Sequence, residues 1–362
     1  MVRIGLGLTL ALLLAAGSAA ASASAAAIVS LGDSFISGEG GRWLGNGSEP
    51  FGTRSGTDRA AFDCDEWGIC EYDPARVYGA SEESGCHRSD LAPIRSAPVA
   101  GVARVNLACS GAREANVWPA ALARRQEVRM VVLSVGANDV GFGGLVAGCA
   151  LDWARSSGED PVLCFPGAEA GLERTLPAME SGLEKALRGI RGVLAAAGYR
   201  RSEYRLVAMG YASPFPSGRW FRYPQDDWSR LEEGGCPVWD ADADWAAGAG
   251  IGAIDAAMRA AAAATGAEFL DLRHALDGHQ LCDRRSRRVG SEGPSARSAE
   301  WVRRLSLVQG SSRESLHPNA YGQRAIGACL GLLYTSAPGD YACRDTPGRG
   351  TAAMRIEPLS RG

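Results

Sequence analysis

The chain has 362 residues, 46% of them hydrophobic, which is enough to bury a large core. Its 38 basic and 41 acidic residues leave a formal net charge of −3, which excludes a basic nucleic-acid face. The Arg-rich patch "RRSRR" at 284–288 reads as a solvated loop.

Taken in chain order, the N-terminus shows one cation, Arg3, then the apolar run "IGLGLTLALLLAAG", then the small-residue tract "SAAASASAAA". This is the layout of a secretory signal peptide over residues 1–25, with cleavage choices at 21–27. The apolar run is short for a membrane span, which needs about 20 residues, so no stable membrane insertion is expected. Short β-branched runs predict strands at 27–32, 104–111, 128–136, 204–211 and 267–272. Unbroken apolar runs of this length suit strands covered on both faces of a parallel sheet. Apolar residues at helical spacing predict helices at 171–198, with Pro177 as a kink, at 244–266, and at 317–334. Strands alternating with helices imply an α/β three-layer sandwich. One domain is expected over 26–345, with loop insertions near 42–100, 212–243 and 283–312, the last one mobile, and a C-terminal tail at 346–362.

Ten cysteines agree with export, because five disulfides are the natural state in an oxidising compartment. Connectivity is not readable from sequence. Sequential pairing closes the most local loops: Cys64–Cys70, Cys86–Cys109, Cys149–Cys164, Cys236–Cys282 and Cys329–Cys343. No CxxC occurs, and His274 and His279 lack metalloprotease spacing, so no metal is expected.

In open parallel sheets the chemistry lies beyond the carboxyl ends of the strands. After the first strand come Asp33 and Ser34, after the second Ser110 and Gly111, after the third Asn138 and Asp139, and before the last helix Glu314 and His317. A hydroxyl, a backbone amide beside a glycine, a carboxamide and an imidazole are the parts of a serine acyl-transfer site. Each signal alone is weak. Asn-Asp after a strand is more often a turn, and a lone His at a helix start is more often structural. Asp139 is expected to fix its loop, His274 to be structural, His279 to belong to the loop held by Cys282 rather than to touch substrate, and His87 to be exposed.

Four blocks, "LGDSFISGEG", "NLACSGA", "GANDVGF" and "SLHPNAYGQ", resemble the SGNH or GDSL hydrolases over nearly the whole chain after the leader. "CHRS" at 86–89 and "GHQLC" at 278–282 further resemble secreted actinobacterial lipases and esterases with disulfides. The resemblance implies a flavodoxin-like fold with a central parallel sheet of about five strands. It implies Ser34 as nucleophile, His317 as base, and an oxyanion hole built from the N–H groups of Ser34 and Gly111 and the Asn138 side chain. The family pattern puts Asp three residues before the His; here Glu314 stands there. Either Glu314 or a main-chain carbonyl near Ser315 then orients the imidazole.

Arg42 and Trp43 could line the substrate entrance or simply pack at the surface. Trp220, Phe221, Tyr223 and Trp228 could form an apolar lip for an acyl chain or a platform for a sugar. The reading is a secreted, monomeric serine esterase acting on carboxylic esters, with lipid or fatty-acyl esters favoured and no cofactor. Its rivals are a carbohydrate O-acetyl esterase, an acyltransferase, and an inactive wall-binding protein on the same scaffold.

Overall fold

The structure, a computed structural model, describes residues 26–47, 54–67, 69–116 and 127–360. The expected leader lies outside the described residues. The five expected strands form as β1 (Ala26–Gly32), β4 (Ala103–Asn106), β5 (Glu127–Ser134), β6 (Arg205–Met209) and β7 (Glu268–Asp271). Between the first two, β2 (Ala61–Cys64) and β3 (Cys70–Tyr72) make a separate antiparallel hairpin closed by Cys64–Cys70.

The main sheet runs β4-β1-β5-β6-β7 with every pair parallel. Chain order 2-1-3-4-5 is the flavodoxin-like order, so the topological switch point falls between β1 and β5. The central strand β5 is buried at Val128 and at every position from Met130 to Ser134, as a strand covered on both faces should be.

The sheet has seven strands rather than about five. Tyr341–Arg344 (β8) joins β7 in parallel, and Arg355–Pro358 (β9) pairs antiparallel with β8. The stretch expected as a tail therefore closes the sheet edge. These strands are four residues each and carry charged residues, so they show no apolar run to read.

Helices pack around the sheet. The long helix Phe165–Ala196 runs unbroken through Pro177 and buries Leu172, Met179, Leu183, Leu187, Ile190 and Leu194 on one stripe. Each such side chain contributes about 1.5–3 kcal/mol on burial. It packs against Ile251–Thr265. The expected helix at 244–266 is really Asp240–Trp245, a π-helical turn Ala246–Gly250, and then Ile251–Thr265. A C-terminal helix, Ala320–Thr335, starts where Asn319 accepts the Tyr321 and Gly322 N–H groups. All five disulfides join the cysteines in sequential pairs. The 283–312 segment is not a loose loop: Trp301, Val302 and Arg303 are buried, and Trp301 N–H bonds to His279 C=O at 2.6 Å.

Candidate active site

The first strand turns sharply because Gly32 lies flat against β5. Its φ is +134°, and a Cβ there would fall 1.8 Å from the Ser134 carbonyl oxygen. The chain then starts a four-residue helix, α1 (Ser34–Ser37), capped by Asp33, whose Oδ1 accepts the Phe35 N–H at 3.0 Å. Ser34 is thus the first helical residue, and its Oγ lies 2.7 Å from His317 Nε2.

His317 reaches this position on a strained loop. Leu316 has φ +62°, a region costly for a non-glycine residue and often kept for function. The loop is held on both sides, with Leu316 N–H on Arg303 C=O at 2.8 Å and Arg303 N–H on His317 C=O at 2.9 Å. The twist brings Ser315 C=O to His317 Nδ1 at 3.1 Å. An acceptor there fixes the Nδ1–H tautomer and leaves the Nε2 lone pair facing the serine hydroxyl. Burial pushes the imidazole below its ordinary value, while the Glu39 charge and the Ser315 carbonyl oppose that shift. It is therefore neutral and able to accept a proton near pH 7.

Glu314 does not orient His317. Its Oε2 accepts the Trp43 indole N–H at 2.9 Å and the Ser311 N–H at 3.1 Å, and its Oε1 accepts the Tyr78 hydroxyl at 2.7 Å. Reaching back to cap the turn 312–314 aims the carboxylate away from the imidazole. The group at hydrogen-bond distance from His317 Nδ1 is the backbone carbonyl of Ser315.

The groups expected to donate to an oxyanion converge on the same cleft of ≈ 480 Å³, lined by Ser34, Gly111, Asn138 and His317. Among the described hydrogen bonds, the N–H groups of Ser34 and Gly111 have no protein acceptor. Gly111 has φ +80°, and no atom lies within 4 Å of where a Cβ would stand. Its turn is pinned by Cys86–Cys109 and by the Ser110 N–H on Cys86 C=O at 3.1 Å. Asn138 spends one amide hydrogen on Ala112 C=O at 2.8 Å and keeps the other. Asp139 accepts the Glu114 N–H at 3.3 Å.

The profile of the GDSL-like Lipase/Acylhydrolase family matches residues 77–325, which hold Gly111, Asn138 and His317. The chain belongs to this family. Three solved structures are similar to this GDSL-family chain. An extracellular lipase from Streptomyces rimosus is 22% identical over 86% of this chain and 100% of its own, with a TM-score of 0.47. A phospholipase A1 from Streptomyces albidoflavus is 21% identical over 87% of this chain and 100% of its own, also at 0.47. A carbohydrate acetylesterase from Sinorhizobium meliloti is 10% identical over 85% of this chain and 97% of its own, at 0.34. No curated protein matches the chain.

Several expected substrate contacts of this GDSL-family chain lie elsewhere. Trp43 is 1% exposed and stacks under the Arg303 guanidinium at 3.7 Å. Arg42 grips Asp58 with two hydrogen bonds, at 2.6 and 2.7 Å. Neither residue lines the cleft. Trp220 meets the Arg284 and Arg285 guanidinium groups with its ring and Phe221 is buried on Arg230, and neither lines the cleft. His87 is buried, not exposed, with Nδ1 2.8 Å from Glu39 and its ring stacked on Tyr78. Burial pushes Glu39 up, but hydrogen bonding to His87 and the nearby His317 hold it below its ordinary value. His279 stacks on Trp301 at 3.9 Å, which is a packing role.

Tyr211 was not singled out from sequence, although it lines the cleft. It stands two residues beyond β6, on the edge where Ser34 and Asn138 were found, so the strand-end rule would have reached it. Among the described residues no group of three His, Cys, Asp or Glu could hold a metal ion.

Proposed function

We propose that this chain is a secreted serine ester hydrolase that forms an acyl-enzyme on Ser34. The carrying observation is the 2.7 Å contact between Ser34 Oγ and His317 Nε2 at a cleft that also holds Gly111 and Asn138. Ser34 Oγ attacks the ester carbonyl while His317 Nε2 takes its proton. The carbonyl oxygen becomes an oxyanion that accepts from Ser34 N–H, Gly111 N–H and Asn138 Nδ2. Each such donor is worth roughly 10²–10³ in turnover. The imidazolium returns its proton to the departing alcohol, and water repeats the sequence to release the acid. Among the described residues no carboxylate hydrogen-bonds to His317, so the buried Glu39 charge, the Ser315 carbonyl and the more distant Glu314 charge stabilise the imidazolium.

Fatty-acyl esters are favoured over acetyl esters because an apolar cavity of ≈ 50 Å³ adjoins the cleft. Phe142, Val146, Pro214, Ile251 and Ile254 line both spaces. Export is supported by the leader-like N-terminus and five disulfides.

Ser34→Ala should lower kcat on a p-nitrophenyl ester by at least 10³-fold and abolish labelling by a fluorophosphonate probe. Full activity in that variant, or labelling at another residue, would refute the assignment.

A further inference from the structure

One buried phenol stands behind both halves of the site. The Tyr211 hydroxyl donates to Asp33 Oδ2 at 2.6 Å, and its oxygen accepts the Ala137 N–H at 3.2 Å. Its ring meets Phe35 edge-on at 5.2 Å, and the residue is 6% exposed. Asp33 caps the helix that begins with Ser34, and Ala137 immediately precedes Asn138. A single side chain therefore ties the nucleophile turn to the oxyanion loop. A phenylalanine would fill the same space, so the packing does not require the hydroxyl. What the hydroxyl adds is a donor and an acceptor used at once.

We propose that Tyr211 is a positioning residue that sets the spacing between Ser34 and the Asn138 amide through its hydroxyl, with ionised Asp33 as its partner. The proposal rests on the ester-hydrolase reading of Ser34 and His317. The proton bookkeeping gives it a direction. Because the phenol oxygen accepts from Ala137, its hydrogen must go to Asp33. Asp33 must then accept on both oxygens, from Phe35 and from Tyr211, which the carboxylate does. A protonated Asp33 presents its own O–H toward the phenol, so the charge-assisted bond from the Tyr211 hydroxyl is lost and the bridge is weakened.

Burial pushes Asp33 up to about 7, against the pull of its Tyr211 and Phe35 donors and with help from the Asp139 charge. The other titratable groups facing this cluster are Asp255, which accepts the Tyr211 N–H at 3.2 Å, and His317 beside Ser34. Burial pushes Asp255 well above its ordinary value, against the nearby Arg273 charge, and pushes His317 below its own. Asp33 therefore sets the acid limb of kcat/KM at about pH 7. Activity falls as pH drops through that value. His317 alone would place the limb below 6.5.

The test is the pH profile of kcat and kcat/KM between about pH 5 and 9 on a short p-nitrophenyl ester, for the full chain, Tyr211→Phe and Asp33→Asn. Tyr211→Phe should lower kcat roughly 10- to 100-fold with little change in KM, the scale of a misplaced catalytic group. It should also remove the limb that Asp33 sets and leave the lower one set by His317, because without the hydroxyl the Asp33 charge has no bridge to hold. Asp33→Asn keeps a cap acceptor but cannot ionise, so its limb should drop below pH 6.5. Wild-type kcat in Tyr211→Phe, or an acid limb unmoved in both variants, would overturn the proposal. If Tyr211→Phe failed to fold, the Asp33→Asn profile would decide alone. Retained activity in Ser34→Ala would instead overturn the ester-hydrolase reading, whatever the Tyr211 result.

Discussion

At residue 314 a carboxylate stands near the base and does other work. Three donors, from Trp43, Tyr78 and Ser311, saturate it, and it is 1% exposed. An orienting carboxylate typically carries about 10⁴ in kcat. Here the Ser315 carbonyl holds the tautomer, so Glu314→Gln should leave kcat within about tenfold and the acid limb in place. The same change strands at least one buried donor, which costs about 1–3 kcal/mol of stability. The expected outcome is a lowered Tm with a near-normal pH profile. A loss of 10³ or more in kcat at unchanged Tm would return Glu314 to the catalytic machinery. The spacing that suggested Glu314 was sound as a pattern. What sequence could not show is that Leu316 adopts φ +62° and swings the neighbouring carbonyl into place.

At the scale of elements, legibility follows how a residue gets its position. Ser34, Gly111 and Asn138 sit at strand ends, so the apolar runs that revealed the strands also placed these residues. His317 sits just before a helix with a plain start at Asn319. Arg42, Trp43, Trp220 and Phe221 lie on insertions, where position depends on tertiary partners such as Asp58, Arg303 and Arg230. No local pattern records those partners. The apolar cavity beside the cleft, the arm proposed for the acyl chain, was equally hidden, because its lining is gathered from Phe142–Arg155, Leu172, the 214–215 and 238–246 stretches and Ile251–Thr265, which are far apart in sequence. π-turns often mark functional sites. Val146 sits at the junction of cleft and cavity, so Val146→Trp should block the arm. Activity on an octanoyl ester should fall by roughly tenfold or more, since each buried CH₂ of the chain is worth about 0.8 kcal/mol. Activity on an acetyl ester should stay within about threefold. An unchanged octanoyl-to-acetyl ratio would mean that the chain binds elsewhere. A wild type that loses activity from acetyl to octanoyl would favour the carbohydrate deacetylase reading.

For the whole molecule, the buried ionisable groups set activity and stability against each other. Burial pushes Asp33 to about 7 and Asp255 well above its ordinary value, and burial together with Asp139 pushes Glu114 up. Each binds a proton more tightly in the fold than in the unfolded chain. Their stabilising effect is full below about pH 4 and is lost as pH rises through their folded values. His87, raised by its Glu39 hydrogen bond, has the same sign, while His279 and His317, lowered by burial, have the opposite one. Glu39 and Asp271 are held below their ordinary values by hydrogen bonds that outweigh burial, so they contribute above about pH 4.5 and mark the acid edge. The carboxyls outnumber the two opposing histidines, so thermal stability should be highest near pH 4–5, just above the acid edge, and decline toward pH 8.5. Over that same range kcat/KM should rise as Asp33 ionises. Between pH 5.5 and 8.5 Asp33 alone contributes on the order of 2 kcal/mol to this difference, because its folded value of about 7 lies roughly 1.5 units above pH 5.5. Asp33→Asn removes the buried charge and keeps the cap, so it should melt higher than wild type at pH 8.5 and flatten the decline from pH 5.5. The two chains should converge below about pH 4, where Asp33 is protonated in both folded and unfolded states. Melting temperatures at pH 5.5 and 8.5 check this. A wild-type Tm that is flat or rising across the interval, or an Asp33→Asn variant no more stable at pH 8.5, would show that Asp33 is solvated well enough to ionise at no expense to the fold.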